Sequence, residues 1–344
     1  MDNIYENGKT GIEKKLNIEC KPGKYSDDKY LESYGVDRMR QMMTKRYGER
    51  YIKYREDWKL SENLKDRDFP VNLELDLIDA CTLECSQCLR SSDFALEYEG
   101  SIGTGKKLDY AQIVSILDEC YEHGLPSVNI GGNGECMMHP DFIQICSAIM
   151  EREVLELRII SNGTLLSDKI AEKLIDLQVH FVSISLDAAT KDTYGAIRGR
   201  PDKYELVVEN IMNLIKKRRK RGVDFPLLRV TFVRQKENNH EVEQFINFWS
   251  SYADLIDLQT FRDYRKSVYI DDFTCNQPWK RMLVYADGHV SPCCGCPGIK
   301  LDIGHIEENT LFDIWNGERM RRIRSELRDK KYPHPCLKCM EQHY

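Results

Sequence analysis

No apolar run in this sequence approaches the ~20 residues that a membrane span needs. The opening stretch MDNIYENGKTGIEKK has no apolar centre of the kind a signal peptide carries. An excess of positive charge is missing too. The 344 residues have a formal net charge of −6, whereas a general nucleic-acid binder is basic. These absences point to a cytoplasmic protein with neither membrane nor nucleic acid as partner. One basic run, KKRRKR at 216–221, ends a predicted helix, where the macrodipole favours cations. It reads as a solvated helix end.

What the sequence has in excess is cysteine. Thirteen thiols in a cytosolic chain mean metal or redox chemistry more often than disulfides. They cluster: Cys81, Cys85 and Cys88, then Cys293, Cys294 and Cys296, then Cys336 and Cys339, with Cys275 just ahead of the second group. The first group, in LDLIDACTLECSQC, stops one ligand short of the usual four.

From residue 72 onward, short apolar runs at 72–78, 127–131, 155–160, 180–186, 227–234 and 254–261 alternate with helical patterns at 108–123, 140–152, 167–178, 203–222 and 240–251. Ser167 reads as an N-cap, and Arg221-Gly222 as a helix stop. Such alternation specifies a parallel sheet with helical crossovers. Six strands are too few to close an eight-stranded barrel, so an open or partial barrel is expected, with chemistry on the loops after the strand C-termini. Residues 1–69 contain no strand-like run. Their helical stretch, interrupted at Gly48, puts Tyr47, Tyr51, Tyr54 and Trp58 on one face. That face suits packing against the main domain better than contact with a substrate. The predicted organisation is a helical extension (1–69), an α/β domain (70–265) and a small C-terminal domain (266–344).

The triplet Cys81-x3-Cys85-x2-Cys88, directly after the first strand, resembles the cluster motif of the radical S-adenosylmethionine (SAM) superfamily. The alternatives are a zinc site or buried thiols. The resemblance implies a partial (β/α)6 barrel and a 4Fe–4S cluster whose fourth iron is left open for SAM. It also implies reductive cleavage of SAM to a 5′-deoxyadenosyl radical, fed by a reductant such as flavodoxin or ferredoxin. In the family an aromatic residue often precedes the third cysteine; here Gln87 stands there. Asn133, Gly134 and Glu135 resemble the family's Gly-Gly-Glu motif, which binds the SAM amino group. Ser161 and Asn162, in a turn with Gly163, could reach a ribose or carboxylate. Ser185 and Arg198 map onto the serine and arginine that hold the SAM carboxylate, and Asp187 either caps the next turn or touches ligand. GSIGTGKK at 100–107 begins like a phosphate-binding loop, but Lys107 occupies the position of the required Ser/Thr.

Cys275, Cys293, Cys336 and Cys339 resemble the four ligands of the shortened, twitch version of the SPASM domain, which holds one auxiliary 4Fe–4S cluster; a zinc ribbon is the alternative. Such a cluster suits the removal of a second electron, hence a net oxidation. Epimerisation instead needs a thiol to return a hydrogen atom, for which Cys136, Cys294 and Cys296 are candidates. The layout resembles relatives acting on small, carbohydrate-like substrates. A peptide maturase of the same superfamily and a non-catalytic zinc-stabilised binding module are the other readings.

Overall fold

The computed structural model describes residues 31–88, 103–261, 275–293, 301–333 and 336. Six strands carry the centre of the fold: β2 (Asn72–Leu75), β3 (Ser127–Ile130), β4 (Glu156–Ser161), β5 (Phe181–Ser185), β6 (Leu227–Arg234) and β7 (Leu255–Thr260). They pair in parallel, each with the next in sequence. Helices α3 (Tyr110–Glu122), α4 (Phe142–Glu151), α5 (Asp168–Asp176), α6 (Lys191–Arg198), α7 (Tyr204–Arg221) and α8 (Val242–Trp249) form the crossovers. The result is the predicted partial (β/α)6 barrel.

The strands are built by alternation of side chains with period two. Leu73, Val128, Leu157, Ile159, Val182, Ile184, Leu228 and Val230 are fully buried and pack with Ile113, Ile145, Leu174 and Ile211 of the crossover helices. The opposite face bears Glu74, Asn129, Arg158, Ser183, Arg229 and Asp257. The barrel therefore has an apolar exterior under its helices and a polar lumen.

The caps match the sequence signals. The Ser167 side chain accepts from the Ile170 N–H, and Gly222 ends α7 in the left-handed region with φ 62°. The basic run is a solvated helix end, with Lys216, Arg219, Lys220 and Arg221 exposed, except at Arg218, which pairs with Asp254 at 2.5 Å, largely buried. Helix α6 was not foreseen.

The N-terminal extension departs from expectation in one element. Residues 31–34 form a strand, β1 (Leu31–Tyr34), antiparallel to β7. Its polar sequence LESY hid it, since edge pairing supplies what the pattern does not. Helices α1 (Val36–Tyr47) and α2 (Glu49–Leu60) break at Gly48, as read, and close the N-terminal end of the barrel. Tyr51 and Tyr54, nearly fully buried, donate to the two oxygens of Glu156 at 2.9 and 3.1 Å. The aromatic face is a floor.

The C-terminal part is not a detached layer. β8 (Arg281–Val284) pairs in parallel with β2, and β9 (His289–Ser291) and β10 (Gly304–His305) continue antiparallel, giving one ten-stranded sheet. Helices α9 (Leu311–Trp315) and α10 (Glu318–Arg328) follow. Glu119 of α3 accepts from the Leu311 and Phe312 N–H groups at 3.1 and 2.7 Å, and Trp315 Nε1 donates to the Arg67 carbonyl at 2.7 Å. The predicted boundary at 265/266 lies outside the described residues.

Candidate active site

Cys81, Cys85 and Cys88 lie on the loop that leaves β2. Two neighbouring turns hold that loop. The Glu135 N–H donates to the Ala80 carbonyl at 2.8 Å on one side; the Ser86 N–H donates to the Ile197 carbonyl at 2.9 Å on the other. Glycine makes both approaches possible. A Cβ at Gly134 would stand 2.1 Å from the Ile78 carbonyl oxygen, and one at Gly199, whose φ is +74°, would stand 2.4 Å from that of Glu84. Cys85 is buried, and the other two are half-buried.

Two side-chain N–H groups point at sulfur. Asn162 Nδ2 donates to Cys81 Sγ and Arg198 Nη1 to Cys85 Sγ, each at 3.6 Å. Donors of this kind stabilise thiolate and tune the potential of a cluster it ligates. Burial pushes the Cys81 thiol pKa up, and the neighbouring Glu135 adds to this. A bound metal reverses that preference, because a coordinating thiol is deprotonated outright. Among the described residues no three His, Cys, Asp or Glu side chains converge as a single metal ion would require. A cluster instead spreads its ligands, one cysteine to each iron. Three cysteines with N–H donors on two sulfurs fit a 4Fe–4S cluster with one iron open to SAM.

The loops after β3 and β4 are fastened to one another. Glu135, 1% exposed, accepts from Ser161 Oγ at 2.9 Å, the Asn162 N–H at 2.8 Å and the Met137 N–H at 3.2 Å. Burial raises its pKa from the usual glutamate value, opposed by these hydrogen bonds and by Arg198. Asn162 also reaches Thr82 Oγ1 at 3.0 Å, beside Cys81. Asn133 turns to Asp76 at the end of β2, which accepts from its N–H at 3.1 Å and from its amide group. Sequence reasoning missed Asp76, although an acid at a strand's C-terminal end was a usable signal.

Arg198 is committed within the protein. Its Nη2 pairs with Asp187 at 2.6 Å while Nη1 reaches Cys85. Burial opposes its charge, but Asp187 and Cys85 outweigh that and push its pKa up. Asp187 is fully buried with φ +61°, and also accepts from the Val233 N–H at 2.8 Å and from Gln87 Nε2 at 2.6 Å. It joins the cluster loop to α6 and β6, a role the sequence left open. Gln87 accepts in turn from Gln235 Nε2 at 2.5 Å. It is therefore held in an amide relay. Ser185 stands half-buried at the end of β5, and its hydroxyl has no hydrogen-bond partner among the described residues.

In the C-terminal part, Cys275 precedes a 3-10 turn at Gln277–Trp279, Cys293 follows β9 and Cys336 follows α10, all three half-buried. Cys339, Cys294 and Cys296 lie outside the described residues. Cys136 is 1% exposed between β3 and β4, and its thiol donates to the Ile160 carbonyl at 3.3 Å. That is a core position, ill suited to handing a hydrogen atom to a substrate. Two surface clefts, of about 200 and 410 Å³, lie at Arg38–Asp254 and Asp302–Arg319 and hold none of the candidate residues.

An open α/β barrel with such a cysteine loop defines a class, and the chain belongs to it. Residues 75–248, just over half the chain, match the radical SAM superfamily, and residues 275–340 match an iron–sulfur cluster-binding domain, SPASM. The chain accordingly binds SAM, the 4Fe–4S cluster that holds it and auxiliary iron–sulfur chemistry. It is 28% identical over 57% of its length to the mycofactocin maturase MftC of Mycobacterium tuberculosis, spanning only about half of that relative (46%). It is 29% identical to the tungsten-containing aldehyde ferredoxin oxidoreductase cofactor-modifying protein of Pyrococcus furiosus, over 78% of this chain and 86% of that one. The sporulation killing factor maturation protein SkfB of Bacillus subtilis is 23% identical over 77% and 70% of the two chains. Among solved structures, AdoMet-bound anSMEcpe shares the fold with a TM-score of 0.55 at 14% identity, covering 78% of this chain and 86% of that one.

Proposed function

We propose that this chain is a radical SAM maturase that modifies a peptide substrate by hydrogen abstraction inside the barrel. The observation that carries the radical chemistry is the cysteine loop, with N–H donors from Asn162 and Arg198 on Cys81 and Cys85. The preference for a peptide rests on similarity to proteins named as maturases. A carbohydrate-like substrate finds no support among these relatives.

Cluster and SAM together would supply the 5′-deoxyadenosyl radical. Cys81, Cys85 and Cys88 would hold the cluster, and the Glu135–Ser161–Asn162 clamp would shape the SAM pocket above it. Asn133, Gly134 and Ser185 would line the rim. Arg198, already paired with Asp187, would act on SAM through the cluster loop and its remaining donors. Cys275, Cys293, Cys336 and Cys339 would ligate the auxiliary cluster. That second centre would supply an electron acceptor, which suits a net oxidation. The buried position of Cys136 weighs the same way, against thiol return by that residue.

The test is 5′-deoxyadenosine formation by the reconstituted protein with reductant, with and without a short peptide encoded beside its gene, against a panel of free sugars. Stimulation by the peptide, with a product two hydrogens lighter, is the expected result. Stimulation by a sugar alone would overturn the peptide reading. Solvent deuterium in a product of unchanged hydrogen count would overturn the oxidation.

A further inference from the structure

The lumen face contains a layer of charge that the cluster loops do not use. Arg281 pairs with Glu74, and Arg229 with Asp257 at 3.1 Å. Arg158, from the middle of β4, has no ion pair and no hydrogen bond among the described residues. It feels the charges of Glu156 and Asp257 beyond ion-pair distance, and it lies against the Phe181 ring, whose other neighbour is Arg229, each guanidinium 5.8 Å from the centroid. That distance is near the limit at which a cation–π contact counts, so Phe181 separates two like charges without neutralising them. Further polar atoms around them are also unanswered: Arg158 Nε, Arg229 Nε, Ser183 Oγ and Asp257 Oδ1 are buried without hydrogen-bond partners. Ser183 and Asp257 are each 4% exposed. Ser183 is the sheet partner of Arg229, and Asp257 lies beside Thr231, two residues further along β6. Arg158 is half-buried, and its Nε is shut away from water without a partner, which is costly. Burial, followed by the Arg229 charge, draws the Arg158 pKa down to about 10. Glu156 and Asp257 oppose that shift, but Glu74, Asp257 and Glu156 are each held by other partners, and among the described residues no carboxylate lies within ion-pair distance of Arg158.

Position gives the layer a use. Below it, Tyr51, Tyr54 and Glu156 close the barrel. Above it, Ser161 begins the SAM loops three residues further along β4, about 10 Å at strand rise. A molecule that reached the interior from the loops would meet this layer before the floor, with Arg158 Nε, Arg229 Nε and Ser183 Oγ unpartnered. We propose that Arg158, with Arg229 and Ser183, forms a carboxylate-binding subsite at the base of the lumen that anchors the substrate, through either an acidic side chain or a C-terminal carboxylate. A planar guanidinium matches a carboxylate in two parallel hydrogen bonds. The subsite deepens the peptide reading proposed above and rests on it only for the source of the carboxylate.

The experiment is calorimetric titration of the SAM-loaded holoenzyme with three capped probes: N-acetylglutamate N-methylamide, N-acetylglycine and the neutral N-acetylglutamine N-methylamide. At least one acid is expected to bind, with the neutral amide binding much more weakly. Arg158→Met should weaken the acid by about tenfold or more, as loss of a charge-assisted pair implies. The ligand-free Arg158→Met protein should melt no lower than the parent, since no ion pair is removed, while Arg229→Met should melt lower because it strands Asp257. Equal binding of acid and amide, no binding of either acid, or Arg158→Met melting as low as Arg229→Met would overturn the subsite. Binding of the acids by an enzyme that modifies no peptide would leave the subsite standing and remove the peptide reading. Peptide turnover without acid binding would do the reverse.

Discussion

Asp187 ties together three separate parts of the site, the cluster loop, α6 and β6. It is fully buried, holds Arg198, Gln87 and the Val233 N–H, and adopts a left-handed backbone angle. Removing one partner of a buried ion pair leaves the other charge uncompensated. Asp187→Ala should therefore cost about 3–5 kcal/mol in urea unfolding, far more than a surface carboxylate such as Asp202, whose pair with Arg200 is exposed. A second prediction concerns Gly199. A Cβ there would meet the Glu84 carbonyl at 2.4 Å from a backbone angle that side chains rarely adopt. Gly199→Ala should shift the cysteine loop, so that purified protein carries about four irons per chain where the parent carries about eight. Undiminished iron content would show that the loop does not depend on this approach. The Gly-Gly-Glu resemblance located Glu135, but its three-way clamp on Ser161, Asn162 and Met137 is a tertiary fact invisible in the motif.

Among the elements, the floor helices α1 and α2 carry a buried histidine relationship with a measurable signature. His180 Nδ1 accepts from the Leu157 N–H at 2.8 Å, so Nε2 bears the proton and faces Tyr47. Burial, with Arg46 adding to it, holds the His180 pKa down at about 3, against about 6.5 when unfolded. Between these values the unfolded chain binds the extra proton. Stability therefore falls as pH drops below about 6.5, with a slope of up to about 1.4 kcal/mol per pH unit. His180→Asn should flatten that dependence in urea midpoints taken from pH 6.5 to pH 5; an unchanged slope would place the proton uptake elsewhere. The aromatic stripe on these helices was legible because a helix repeats its faces at i, i+4 and i+7. Strand β1 was not, since its four residues, with a single aliphatic side chain, are held by edge pairing with β7.

For the molecule as a whole, β8 extends the barrel sheet from the edge of β2, and Trp279, Met282 and Trp315 belong to the same core as Leu73 and Leu75. Unfolding of the reconstituted chain followed by calorimetry should show one cooperative transition, and proteolysis should release no stable fragment ending before residue 275. Two separate transitions would mean that the iron–sulfur part folds on its own. Replacing Cys81, Cys85 and Cys88 together with alanine should leave about four irons, those of the auxiliary cluster, and abolish SAM cleavage. Retained 5′-deoxyadenosine formation would refute the role of the loop.

The sequence by itself determined the six barrel strands and all of their crossover helices but α6, because period-two and period-3.6 patterns are local. It also determined the class of chemistry, because cysteine spacing on one loop is a local property. Tertiary structure alone decided the partners. It tied Arg198 to Asp187, paired Arg229 with Asp257 across β6 and β7, and left Arg158 without an acid at ion-pair distance. Those outcomes depend on residues brought together from different strands, with registers that the sheet fixes once every strand has packed its apolar side under the helices.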